Sequence, residues 1–176
     1  VSAITWLGYD APQSIPLEAP FRSYADHGAP VLNQFVDGTR ASHQGNPAHL
    51  TMIGHSYGST VIGSAAVHGH LNTDDIIFAG SPGVEAGRAA DLGIGAEHVY
   101  SDRAPGDPVP YGGSYTELPG RYLGVATVPG DPAFGGKTLN YGLRAEGFDP
   151  LEAHTSYFDE TSVSLKNMAK VIAGNE

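Results

Sequence analysis

The stretch from Ala48 to Gly69 constrains the fold more than any other part of the chain. It opens with a short apolar run, Ala48–Ile53 (AHLTMI), passes through Gly54-His55-Ser56-Tyr57-Gly58, and continues as GSTVIGSAAVHG over 58–69. The apolar run reads as a strand. The small, apolar stretch after it has the composition of a helix packed closely against a sheet. No residues are left between them for a loop, so strand must pass to helix in one tight turn. A G-x-S-x-G pattern suits that turn. The serine takes a strained backbone position, and a Cβ at Gly54 or Gly58 is expected to collide with the neighbouring strand or helix. The pentapeptide alone is weak, since roughly 0.25 chance matches are expected in a chain this rich in glycine. Its strand–turn–helix setting gives it weight.

The same alternation recurs along the chain. Val1–Leu7 (VSAITWL) reads as a strand covered on both faces and ended by Gly8. A helix is predicted from Ala29 to about His43–Pro47, with Val31, Leu32, Phe35, Val36 and Thr39 on its apolar stripe and Pro30 in its first turn. Asp75–Ala79 and Glu97–Ser101 read as further strands, Val84–Leu92 as a short helix and Leu139–Phe148 as a last, weaker strand. Asp102–Lys137 is rich in Gly and Pro and irregular. Ser162–Ile172 closes as an amphipathic helix, with Ser162 as N-cap and Gly174 beyond its end. Alternating strands and helices predict an α/β fold: one domain over 1–176, with a mostly parallel sheet of about five strands and helices on both faces. Sites in such sheets form at the carboxyl ends of the strands.

Composition removes several classes of function. Nine Lys+Arg against 19 Asp+Glu give a net charge of −10, unfavourable for nucleic acid or an anionic membrane. The chain has no cysteine, which excludes disulfides and thiolate zinc sites. No apolar run approaches the ~20 residues of a membrane-spanning helix. The chain starts at Val1, already strand-like, so its N-terminus is expected to have been cut; no compartment is assigned.

A serine nucleophile needs a base, and the base an orienting acid. Of the eight histidines, His55 lies inside the tight turn and is not expected to reach back across it. His49 and His98 fall in predicted strands, and His27 and His43 flank a helix. His68 and His70 form at most a weak metal pair with no third ligand nearby, so no metal or cofactor is expected. His154 lies in a predicted loop, C-terminal to every candidate acid, giving the chain order Ser…Asp…His. Asp107, in APGDPV (104–109), is the favoured acid. Asp102, at the strand end, is its main rival, Asp131 is a third candidate, and all three also suit plain turns. For an oxyanion hole the Tyr57 N–H is one donor. Gly8 either presents the Tyr9 N–H as a second or merely ends a strand. Gly8, Asp10, Ser81 and Pro82 are expected at the pocket rim.

With these residues assembled, the chain resembles the α/β-hydrolase superfamily. More narrowly it is similar to an actinobacterial α/β-hydrolase family of unknown function. The segments that carry the resemblance are WLGYDAP (6–12), PAHLTMIGHSYGST (47–60), DDIIFAGSPGV (74–84), GDPVP (106–110), HTSYFD (154–159) and SLKNMAKVIAG (164–174). The resemblance implies Ser56 as nucleophile, Asp107 as acid and His154 as base, with the loop around Tyr9 on the oxyanion side and the Gly80–Gly83 turn at the rim. It also implies a minimal, lidless, cutinase-like architecture without a large cap. Two departures stand out: the disulfides usual in secreted cutinases are absent, and so is the helical segment that precedes the hydrolase region in longer members.

The expected activity is hydrolysis of small carboxylic esters with short to medium acyl chains through an acyl-enzyme. Amide or peptide cleavage and acyl transfer by the same triad are the alternatives, as is a hydrolase-like scaffold kept for binding. The reading leaves room for a contact with a missing N-terminal segment.

Overall fold

A computed structural model describes residues 1–13, 21–112, 127–142 and 149–175. An apolar run with no polar alternation requires a sheet covered on both faces. Asp75–Ala79 (β2) is such a strand, with all five residues buried. Thr51–His55 (β1) pairs with one edge of β2 and Val99–Asp102 (β3) with the other, and Lys137–Thr138 (β4) adds to β3. All pairings are parallel, in the spatial order β1-β2-β3-β4.

The period-two alternation of a strand then builds two cores. Ile76, Phe78 and Val99 join one core with helices α1 (Ser23–Ser42) and α2 (Tyr57–His68). Ile77, Ala79 and Tyr100 join another, closed by Tyr157 and by Met168 and Val171 of a C-terminal helix (Val163–Ile172). That helix starts as its sequence predicts: Ser162 Oγ accepts a hydrogen bond from the Leu165 N–H at 3.0 Å. The chain is therefore an α/β protein with helices on both faces of a parallel sheet. The parallel strands bring His55, Ala79 and Asp102 to one edge, where the segments that follow them meet.

Several elements differ from the sequence expectation. Val1–Leu7 is not a strand: Val1, Ile4 and Leu7 are exposed, and only Trp6 is half-buried, against Tyr9 and Phe35. Its β-branched composition supplies propensity, but a strand also needs a hydrogen-bonding edge, and the segment joins no sheet among the described residues. The described sheet thus has four strands rather than about five. Helix α1 begins at Ser23, six residues before the predicted start, so Pro30 lies inside it. Burial of Ala25, Gly28 and Ala29, and a bond from the Ala25 N–H to Tyr57 Oη (3.2 Å), tie this early turn to α2. The predicted helix over Val84–Leu92 shrinks to a 3₁₀ turn at Ala89–Leu92. A two-residue strand forms at Lys137–Thr138; of the predicted last strand over 139–148, 139–142 are not in a strand and 143–148 lie outside the described residues. The same is true of 14–20 and 113–126.

Candidate active site

The turn between β1 and α2 has the strain its sequence requires. Ser56 has φ 53° and ψ −129°, the one positive φ at a non-glycine position among the described residues. Its N–H donates to the Ala79 carbonyl at 3.0 Å, which carries the β1–β2 ladder one step beyond the strand. Its side chain makes no capping bond to α2. Instead Ser59 Oγ donates to the Ser56 carbonyl at 2.6 Å. Gly54 is needed for close packing, since a Cβ there would lie 2.7 Å from the Ser59 Cα. Gly58 is not, because a Cβ there meets open space. The collision expected at Gly58 does not occur: α2 turns its second residue away from the sheet.

Beyond β3 the chain turns through Ala104–Asp107 into a one-turn helix, α3 (Val109–Gly112), with Gly106 at φ +83° and the Asp107 N–H donating to the Ala104 carbonyl (3.1 Å). The Asp107 carboxylate is fully buried. His154 Nδ1 lies 3.0 Å from both of its oxygens. Tyr157 Oη donates to Oδ2 at 2.6 Å and itself accepts the Ala104 N–H at 2.8 Å, while the Val109 N–H donates to Oδ1 at 2.9 Å. Burial pushes the Asp107 carboxyl up, but the bonds from His154, Tyr157 and the Val109 N–H outweigh it and hold the group below its ordinary value. With Nδ1 facing the carboxylate, Nε2 is the ring nitrogen that Asp107 leaves open. Gly80, at φ +56°, lies under the pair; a Cβ there would sit 2.9 Å from Asp107 Oδ2 and 3.1 Å from His154 Nδ1.

His154 stands on a six-residue helix, α4 (Pro150–Thr155), rather than in a loop. Asp149 caps this helix, accepting the Leu151 N–H at 2.7 Å. The His55 ring packs 4.7 Å from the His154 ring, centroid to centroid, and His55 Nε2 lies 2.7 Å from the His154 main-chain oxygen. Tyr157 and Phe158 flank His55 at 5.7 and 5.6 Å. Burial pulls the His55 imidazole below its ordinary value.

The rival acids have other partners. Asp102, 2% exposed, accepts from Ser164 Oγ at 2.6 Å, and burial pushes its carboxyl up to about 6. Asp131 caps a 3₁₀ turn by accepting the Ala133 N–H at 2.9 Å. Tyr57 is buried, its Oη donating to the Phe21 carbonyl at 2.6 Å. Tyr9 stacks on it at 6.4 Å, which brings the loop after Trp6 alongside the start of α2. Gly8 and Asp10 are exposed and Pro82 is half-buried. Ser81 is buried, its Oγ donating to Ser59 Oγ over 2.6 Å and accepting from the Gly83 N–H at 3.1 Å. Its hydroxyl therefore braces α2 against the 80–83 turn.

The remaining histidines sit elsewhere. His49 and His98 precede β1 and β3 rather than lying in strands, and both bond Asp75 at the opposite edge of the sheet. His27, His43 and His70 are exposed. His68 does have possible co-ligands, contrary to expectation: Asp26 and Glu85 offer atoms within 4.8 Å of it and of each other. Arg22 already engages both carboxylates, at 2.9 Å to Asp26 and 3.5 Å to Glu85, so the group is held as an ion-pair cluster, with Glu85 Oε1 buried and without a hydrogen-bond partner among the described residues.

Two neighbours of the Asp107–His154 pair escape a reading of the sequence. Tyr157 looks like any core aromatic, and His55 is set aside when only its reach toward Ser56 is considered. The HTSY run (154–157) does carry a signal, because residues three apart on a helical turn share a face.

A family model described as alpha/beta hydrolase matches residues 1–116. The chain is 28% identical over 192 aligned residues to "Uncharacterized protein Rv2079" of Mycobacterium tuberculosis H37Rv, covering 99% of this chain and 29% of that protein. It is 38% identical over 100 residues to "Uncharacterized protein Mb0988c" of Mycobacterium bovis, covering 57% of this chain and 37% of that one. The chain thus spans less than two-fifths of the length of these relatives. No solved structure matches it.

Proposed function

Since the chain belongs to an alpha/beta-hydrolase family, we propose that it is a serine hydrolase that cleaves small carboxylic esters. Ser56 is the nucleophile, His154 the base and Asp107 the acid. The observation that carries the reading is the two-oxygen contact of the buried Asp107 carboxylate with His154 Nδ1. It fixes the tautomer in which Nε2 is the nitrogen free to take a proton.

Ser56 Oγ attacks the acyl carbon as His154 Nε2 removes its proton. The Tyr57 N–H, among the first four of α2 and without a partner inside the helix, donates to the oxyanion. The Tyr9 N–H is the second donor. The tetrahedral intermediate collapses by breaking the bond to the leaving oxygen, which takes the proton from Nε2. Water then repeats the sequence on the acyl-enzyme, releasing the acid and restoring Ser56. The buried, hydrogen-bonded Asp107 stays ionised throughout and stabilises the imidazolium.

A fluorophosphonate probe tests the reading. The wild-type chain should label and Ser56→Ala should not, while Asp107→Asn should lose about 10³–10⁴-fold in ester turnover. Labelling that persists in Ser56→Ala overturns the nucleophile assignment. On a p-nitrophenyl ester panel, short and medium acyl chains should react fastest. Matched amides turned over as fast as esters would move the reading to amide cleavage.

A further inference from the structure

We propose that His55 is a positioning residue: its Nε2–H, bonded to the main-chain oxygen of His154, ties the base to the strand that carries the nucleophile. The proposal rests on the serine-hydrolase reading, and the experiment below separates the two.

A carbonyl oxygen only accepts, so the 2.7 Å contact requires His55 Nε2 to carry the hydrogen. The neutral ring then has its hydrogen on Nε2 and none on Nδ1. The bond joins residues 99 apart in sequence. One is the last residue of β1, directly before Ser56, and the other lies on α4, which at six residues is too short to be rigid on its own.

Asp107 and His55 constrain different parts of His154. Asp107 grips the ring at Nδ1 and fixes its plane. It leaves the main chain of α4 free to shift about that grip, and any such shift changes the distance from Nε2 to Ser56 Oγ. His55 removes this freedom by holding the main chain from the nucleophile's own strand. Tyr157 and Phe158 pack against the His55 ring and hold it in place. A misplacement of about 1 Å costs on the order of 10²-fold in rate, so losing one of two anchors should cost about tenfold.

The ring stack has a second consequence. His154 must become an imidazolium in the transition state, and a cation 4.7 Å away would oppose it. Burial favours the neutral form of the His55 ring. A lysine or arginine at position 55 would supply a donor but also that opposing charge.

The test compares His55→Gln, which keeps an N–H donor at similar reach, with His55→Phe, which keeps a ring of similar size and no donor. In His55→Phe, kcat on a p-nitrophenyl ester should fall about tenfold with KM within twofold, and His55→Gln should recover to within about threefold of wild type. A His55→Phe variant with wild-type kcat overturns the proposal, as does a His55→Gln variant no better than it. A readout independent of turnover is the NMR signal of His154 Nδ1–H, which should exchange slowly in wild type and His55→Gln and broaden in His55→Phe. A signal unchanged in His55→Phe also overturns the proposal, even if the wild-type chain hydrolyses esters. The underlying reading fails on its own ground: a His154→Ala variant that keeps wild-type turnover removes it, while the NMR comparison still decides whether His55 holds α4.

Discussion

Tyr157 Oη donates to Asp107 Oδ2 over 2.6 Å while accepting the Ala104 N–H over 2.8 Å. One buried phenol thus fixes both the carboxylate and the turn that presents it. Tyr157→Phe removes a donor from a buried anion and leaves a buried N–H without its partner. The expected loss is about 1–3 kcal/mol of stability, measured by urea unfolding at neutral pH. The sign of the pH effect follows from Asp107. Its folded value lies below its unfolded one, so it contributes stability at neutral pH that is lost as pH falls through the folded value. Removing the Tyr157 donor raises that folded value, and acid unfolding of Tyr157→Phe should begin at a higher pH than in wild type.

Ser56 offers a test of stored strain. A non-glycine residue in its region of φ and ψ costs about 1–3 kcal/mol, part of which glycine recovers against its greater unfolded-state entropy. Ser56→Gly should therefore be more stable than wild type by about 1 kcal/mol and inactive on esters. Thermal unfolding read beside probe labelling checks both halves. A destabilised Ser56→Gly would show that the hydroxyl holds the turn together.

The two glycines of the pentapeptide should behave oppositely. At Gly54 a methyl group would meet the backbone of Ser59 at 2.7 Å, which a rigid helix cannot yield cheaply. Gly54→Ala should lose at least about 1–3 kcal/mol, the range for overpacking. At Gly58 the space is open and the residue is helical, so Gly58→Ala should gain about 0.5–1 kcal/mol. Equal effects in paired denaturant curves would contradict this packing.

Asp102 makes the clearest pH prediction. Its carboxyl sits at about 6 in the fold, mainly through burial, against about 3.9 in the unfolded chain. Its Oδ1 has no hydrogen-bond partner among the described residues. A raised folded value means the stability it contributes is complete below about pH 4 and lost as pH rises through 6. Asp102→Asn should match wild type at pH 4 and exceed it by on the order of 2–3 kcal/mol at pH 8. It should also keep ester turnover, unlike Asp107→Asn. A stability gap that does not change with pH would refute the buried-carboxyl account.

The amino-acid sequence by itself determined the features that neighbours along the chain can settle. Ala48–Gly69 could fold only as strand, tight turn and helix, since glycine spacing and small side chains leave no other route. The buried strand at Asp75–Ala79 and the Ser162 cap are equally local. Tertiary structure alone decided which aspartate meets His154. Asp102 ends β3 and Asp107 lies five residues on, in the turn that follows, and the choice depends on Tyr157, 50 residues beyond Asp107, and on Ser164, which takes up Asp102. It also decided that Val1–Leu7, for all its strand-like composition, lies outside the described sheet, and that His55 faces α4. These outcomes depend on contacts between distant segments, where the packing of both cores outweighs local preference, so no periodicity along the chain could reveal them.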